Sequence, residues 1–344
     1  MNLGCDPRGR RILVVGTGLT GACLAWLAAR EGFAVTVVSA DRPASQTTAL
    51  AAGVVHGLGP PGTLETWLSM DGEELAGARR RSRRGHLLLR ELLMGASRRL
   101  GYSLRPHHLV VPCAQRGATV RSLVRGLSAV GYPVELREGA EGFSLCRSRD
   151  ALVGSRALTF ELLRQARRHD AHIRLGVALC DGIRTGPSGM RVVIEGASVR
   201  FDRVLWSRAG PLPGKRQTTA FRRRMILQQI FESGPQRLRS ILEVNGDLLL
   251  APCLRSDGVI LRRQARPALR GGMDWPKLPA SWARYCGSVR RQRLLEPVVG
   301  APAVSSPYLV SLSGISAWPI TALFGACEEA VRGEDARHAG RKLG

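Results

Sequence analysis

Gly16, Gly18 and Gly21, in the run Gly16-Thr17-Gly18-Leu19-Thr20-Gly21, have the spacing of a phosphate-binding turn. Gly16 permits a tight turn, Gly18 lets the backbone approach a pyrophosphate with no Cβ in the way, and Gly21 lets a helix pack closely on a strand. Leu19, Thr20 and Gly21 then stand at a helix start, where unsatisfied N–H groups and the helix dipole favour an anion. The chemistry indicated is the binding of a dinucleotide through its phosphates.

Such a motif has meaning only between the right elements. Ile12-Leu13-Val14-Val15 reads as a buried strand before the turn, and Ala22 to Ala29 as a helix after it that ends at Gly32. Ala34-Val35-Thr36-Val37-Val38 reads as a second buried strand, which completes a βαβ unit. In these units an acid directly after the second strand takes the ribose hydroxyls. That place holds Ser39, with Asp41 two residues on and Arg42 beside it, so Ser39 and Asp41 are both candidates for the ribose.

Constellations for other chemistries are missing from the sequence. No Ser-His-Asp order, HExxH motif or carboxylate pair stands out. The eight cysteines, at positions 5, 23, 113, 146, 180, 253, 286 and 327, form no CxxC pair and have no zinc-type spacing to histidine. Reduced core thiols in a cytoplasmic protein are the expectation, with no metal. The basic, apolar N-terminus has some likeness to an export signal, but the glycines and Arg30-Glu31-Gly32 argue against export. No run approaches the roughly 18 apolar residues of a membrane span.

The formal net charge of +24 would ordinarily direct attention to nucleic acid. Lysine, however, occurs only at Lys215, Lys277 and Lys342, so the basic residues are almost all arginine. That skew fits codon composition better than a phosphate-binding face. The densest cluster, Arg79-Arg80-Arg81-Ser82-Arg83-Arg84, has no interleaved aromatics for base stacking and reads as a solvated helix face. An RNA or acidic partner is the lesser reading, and the sequence leaves a homo- or hetero-oligomer open.

At 344 residues the chain exceeds the size at which single cores stop growing, so two domains are expected. The small-residue stretch Pro43 to Gly57 follows the βαβ unit, and a helical pattern runs from Leu64 to about Leu100. Strands at Leu104 to Pro112 and Val134 to Cys146 flank a helix at Ala118 to Val130. A helix at Ala157 to His169 precedes strands at Ile173 to Leu175, Arg191 to Ile194 and Phe201 to Trp206. Further strands are expected at Arg222 to Ile230, Ile241 to Pro252, Val259 to Arg263 and Tyr308 to Gly314, and a helix at Pro319 to Val331. This order predicts an α/β protein. Residues 1–60, 150–212 and 300–344 form a discontinuous Rossmann-like nucleotide domain, and residues 61–149 and 213–299 an inserted α+β substrate domain on an antiparallel sheet.

Over residues 10 to 335 the chain resembles the FAD-dependent oxidoreductases of the D-amino acid oxidase and glycine oxidase superfamily. The resemblance is carried by Val14 to Gly21, Ala44-Ser45 followed by Ala51-Ala52-Gly53, and Val204-Leu205-Trp206-Ser207-Arg208-Ala209-Gly210. Leu249-Leu250-Ala251-Pro252 with Asp257-Gly258, and Glu296-Pro297-Val298-Val299-Gly300, complete it. It implies FAD as cofactor, with Thr47, Thr48, Ala52, Gly53 and His56 along the flavin, Gly210 ending a strand of the nucleotide sheet, and Gly314 and Ile315 at the ribityl chain and pyrimidine edge. It also implies hydride transfer from a C–H next to nitrogen in an amino acid or amine. By the same resemblance Arg290 is the nearest match to the arginine that binds a substrate carboxylate, and His56 is a second catalytic candidate.

The chain departs from the pattern at Arg224-Met225, where the family has Gly-Gln, and at Leu295-Glu296, where it has Asp-Gly. The usual aromatic is also absent from Leu249 to Pro252. These departures leave two other readings open: a degenerate flavin-binding subunit dependent on a partner, and a flavin enzyme acting on RNA-borne amines.

Overall fold

A computed structural model describes residues 9–45, 48, 51, 53–61, 64–112, 117–139, 142–177, 179, 183–186, 189–207, 222–223, 226–244, 248–254, 257–267, 273–295, 298–299, 303–306, 308–312 and 319–333. Its centre is a six-stranded sheet ordered Ala303–Ser306, Leu309–Ser311, Arg203–Trp206, Arg11–Val15, Ala34–Ser39, His172–Leu175. All neighbours are parallel except the edge strand Ala303–Ser306. Burial on both faces makes the inner strands read as continuous apolar runs, as in Ile12 to Val15.

Side-chain alternation assigns each face its cover. Ile12, Val14, Val35, Val37, Leu205 and Val310 face a core shared with the helices Leu19–Arg30, Ser155–Arg168 and Ile320–Arg332. Leu13, Val15, Val204, Trp206 and Leu309 face the opposite way, onto an antiparallel meander of Ile183–Gly186, Gly189–Ile194 and Ala197–Phe201. The expected single strand Phe201 to Trp206 is two strands that belong to different sheets. Asp202 breaks it: its N–H donates to Arg11 O at 2.9 Å, and its carboxylate accepts the Arg11 N–H at 2.7 Å.

The second sheet has eight strands, ordered Cys286–Leu295, Ile226–Ser233, Gly258–Gln264, Leu248–Pro252, Ile241–Val244, Ser103–Pro112, Gly142–Leu152, Glu135–Gly139. It is antiparallel except where Ile241–Val244 runs parallel to Ser103–Pro112. Two expected strands are each a pair: Val134 to Cys146 resolves into the hairpin Glu135–Gly139 and Gly142–Leu152, and Ile241 to Pro252 into Ile241–Val244 and Leu248–Pro252. Asn245-Gly246 between the latter is a strong hairpin signal that outweighs the apolar continuity. The strand Cys286–Leu295, rich in arginine, gave no apolar pattern to predict it.

The 29-residue helix Gly72–Leu100 starts at a capping box in which Asp71 Oδ1 accepts the Glu74 N–H at 2.8 Å and Glu74 Oε2 accepts the Asp71 N–H at 3.2 Å. Its first half joins the core of the substrate region through Leu75, and Leu88, Leu89, Leu92, Ala96 and Leu100 join the core of the nucleotide region. It crosses the final helix backbone to backbone, since a Cβ on Gly85 would lie 1.8 Å from Thr321 O and one on Gly325 2.0 Å from Arg81 O. The arginine cluster lies here. Arg80, Arg83 and Arg84 are exposed, whereas Arg79 stacks over Tyr132 and Arg81 donates to Glu329 at 2.9 Å. Among the described residues, no helix is long and apolar enough to cross a membrane.

Candidate active site

The first part of the site is a cleft at the C-terminal ends of the parallel strands, the place where open α/β sheets bind ligands. Gly16 adopts φ 105°, a left-handed conformation that a side chain would strain, and its N–H donates to Val38 O at 2.8 Å. A Cβ on Gly21 would lie 2.0 Å from Gly16 O, so only glycine lets the helix start this close to the strand. Gly18 is extended, at φ −71° and ψ −179°, and leaves bare backbone at the cleft. Gly16, Gly18, Ser39, Asp41, Arg42 and Thr48 all line that cleft.

The following segment clasps the turn. Ala44 N–H donates to Thr17 O at 3.2 Å, and Thr48 Oγ1 accepts the Leu19 N–H at 2.9 Å. Of the three amides expected to face phosphate, that of Leu19 is therefore taken by Thr48, and those of Thr20 and Gly21 stand at the helix mouth. After the second strand, Ser39 Oγ donates to Asp41 O at 3.1 Å, at the edge of the cleft. Ser207 also lines the cleft, with its Oγ donating to Val15 O at 2.8 Å. Its position after a strand of the same sheet was the available signal for it.

The second part is the segment 53–57, held from both sides. Val153 N–H donates to Gly53 O and Val55 N–H to Ala151 O, both at 2.9 Å. From the other side Ile320 N–H donates to Val54 O and Thr321 N–H to Val55 O, again at 2.9 Å. Gly53, at φ 73°, is obligatory because a Cβ would lie 1.9 Å from Val153 O.

Asp150 then fixes the tip. Its Oδ1 accepts the N–H groups of His56 (2.9 Å) and Ala151 (2.7 Å), and its Oδ2 that of Gly57 (3.0 Å). His107, almost fully buried, bridges Asp150 and Glu243 at 3.0 Å through Nδ1 and Nε2. Burial opposes charge on His107, but hydrogen bonds to the two carboxylates raise its pKa to about 9. The Asp150 carboxyl is held below the usual range: burial works against this, and His107, Arg147 and the His56 amide outweigh it. His56 behaves oppositely, since burial and then the Arg147 charge lower its pKa to about 4. Its ring lies 5.0 Å from that of His86. At neutral pH His56 is thus a neutral imidazole able to accept a hydrogen bond, while His107 is a cation.

The structure brings Gly16, Gly18, Ser39, Asp41, Arg42 and Thr48 to one cleft, Leu19, Thr20 and Gly21 to the buried helix start that follows Gly18, and Gly53 and His56 to one segment. Arg290 stands apart. It is the extra residue of a bulge, between Arg291 opposite Ile230 and Val289 opposite Phe231, and its half-exposed side chain donates to Glu232 at 3.1 Å. Thr47, Ala52, Gly210, Gly314 and Ile315 lie outside the described residues, as do Arg224, Met225 and Glu296. Sequence reasoning missed Asp150, His107, Glu243 and Arg147, whose only sign was charge inside apolar strands.

The cleft fits FAD: Gly18 leaves bare backbone where a phosphate group would need to approach, and Ser39 and Asp41 line the same cleft with polar groups. A family model described as FAD dependent oxidoreductase matches residues 11–227. The fold is similar to glycine oxidase from Geobacillus kaustophilus, with TM-score 0.68, 14% identity, and 94% of this chain and 95% of that chain covered. It is also similar to L-proline dehydrogenase from P. horikoshii, at 0.71, 12%, 94% and 93%. L-α-glycerophosphate oxidase from Mycoplasma pneumoniae, with FAD bound, gives 0.68, 13%, 95% and 94%. No curated protein sequence matches significantly. With the glycine cradle, the parallel sheet and the antiparallel second sheet in place, the chain belongs to the DAO family of FAD-dependent oxidoreductases.

Proposed function

We propose that the chain oxidises a C–N bond of an amino acid or related amine. The observation that carries this reading is His56, a partly buried neutral imidazole on a doubly tethered segment between the nucleotide cleft and the second sheet. Bound FAD supplies the acceptor for the hydride of a C–H next to nitrogen. The residues of the chain bind and orient the amine. Ammonium has no lone pair to form C=N as the C–H bond breaks, so the amine must first lose a proton. The proton leaves to water, the neutral His56 holds the neutral amine as a hydrogen-bond acceptor, and Asp150 fixes where the residue stands. The C=N product then hydrolyses in water. Similarity to glycine oxidase and L-proline dehydrogenase supports an amine substrate. The reduced, buried Cys23, Cys146 and Cys327 support a cytoplasmic location.

The test is an absorbance spectrum of purified protein, before and after a pool of amino acids and amines is added without oxygen. Flavin bands that bleach with the pool are the expected result. Flavin that stays oxidised with every amine would instead support a binding subunit that depends on a partner.

A further inference from the structure

The outer face of the helix Gly72–Leu100 differs from an ordinary solvated face in what it leaves uncovered. Leu87 and Met94, one heptad apart, are 64% and 83% exposed, although Leu88, Leu89 and Leu92 beside them are buried. At about 100° per residue, Arg80, Leu87, Arg90, Met94 and Arg98 fall within an arc of roughly 80° that extends over about 27 Å of helix. All five side chains are exposed. The stripe therefore has two large apolar groups along its middle, with arginines at both ends and between them.

Acids offset little of this charge. Glu73 and Glu74 are confined to the first turn of the helix, and Glu91, beside the stripe, accepts from Arg30 at 3.0 Å. The face is also fixed in place. Leu88, Leu89 and Leu92 sit in the nucleotide core, and Gly85 and Gly325 seat the helix backbone on the final helix, so the stripe cannot roll inward to cover Leu87 and Met94.

The chemistry of the stripe selects among partners. A second copy of the chain would set arginine against arginine. A nucleic acid would press Leu87 and Met94 onto phosphates, and the stripe has no aromatic side chain on which bases could stack. An anionic bilayer suits both components. Apolar side chains enter the boundary between headgroups and acyl chains, while arginines keep their guanidiniums at the phosphates and lay their methylene stems along the boundary.

We propose that this stripe is a docking surface for an anionic lipid bilayer, on which the helix lies flat in the plane of the interface. Attachment through two apolar anchors and three cations is peripheral, reversible and dependent on lipid charge. It is independent of the amine-oxidising reading given above, and neither falls with the other.

The test is sedimentation of the flavin-loaded protein with vesicles of phosphatidylcholine alone, and of equal parts phosphatidylcholine and phosphatidylglycerol. Binding is expected to the mixed vesicles only, and it should weaken as salt is added. Arg80→Gln, Arg90→Gln and Arg98→Gln together should weaken it on the order of 100-fold, since each arginine near such a surface adds about fivefold. Leu87→Ser with Met94→Ser leaves every charge in place and should weaken it roughly 10-fold. Absent binding to the mixed vesicles, or equal binding to both kinds, would overturn the proposal. Unaltered binding in the double serine variant also overturns it, because the stripe would then be a general polyanion surface, and so does tighter binding to duplex RNA than to the mixed vesicles. If the triple variant does not retain flavin, Arg90→Gln alone decides: a loss of about fivefold is expected, and no loss refutes the docking surface.

Discussion

The nucleotide cleft and the charged face of the second sheet are built in opposite ways. In the cleft the decisive atoms are absent ones: Gly16 and Gly21 place backbone against backbone at distances that any Cβ would fill. On the charged face the decisive atoms are polar side-chain ends, with Asp150 and His107 nearly without solvent contact. A cradle made of backbone depends little on the rest of the chain and suits a cofactor of fixed shape. A row of buried charges costs solvation at every member, so each depends on its neighbours, and removing one strands the next.

Asp150→Ala tests this contrast most severely. It leaves the His107 cation with Glu243 alone and frees three amides, and a loss of about 3–5 kcal/mol is expected in denaturant unfolding. A loss under ~1 kcal/mol would show that the row is not a coupled unit. Gly21→Val should cost about 1–3 kcal/mol by overpacking and should empty the protein of flavin, measured as bound FAD per chain. Retention of full flavin would show that the turn can move apart.

The two histidines give the contrast a pH signature. His56, lowered from 6.5 to about 4, adds stability that is complete above pH 6.5 and lost as pH falls through about 4. His107, raised from 6.5 to about 9, adds stability that is complete below pH 6.5 and lost as pH rises through about 9. Their combined contribution is therefore greatest near pH 6.5. Melting temperatures across pH 4 to 10 should show both slopes, and His107→Gln should flatten the alkaline one only. The smallest effect is expected from Arg290→Ala. Its partner Glu232 is solvent-exposed, and no measurable change in melting temperature should follow.

How far the sequence could be read follows the same division. The first strand, the glycine turn, the first helix and the second strand were visible because their signals are local, and the resemblance extended them to the family. Ser39 at the end of the second strand was found by counting along one βαβ unit. Asp150, His107 and Glu243 come from three separate strands, and only the sheet register brings them together. Each was visible singly as a charge in an apolar strand, as in Ile241-Leu242-Glu243-Val244. Nothing local showed that they are partners. Arg290 shows the converse limit: the family resemblance indicated an arginine in this stretch, and nothing local showed that it stands in a bulge of the strand ladder.

The segment 53–57 is bonded on one edge to Ala151 and Val153, at and just past the end of the second sheet's strand Gly142–Leu152, and on the other to the start of the final helix. It acts as a strut between the two halves, and Gly85 and Gly325 seat the long helix directly on that final helix. Opening the halves like a clamshell would break the hydrogen bonds on one edge of the strut and pull apart a backbone contact that has no slack. Among the described residues, the separation between the nucleotide cleft and the second sheet is therefore set at this point by backbone hydrogen bonds and backbone contact rather than by side chains.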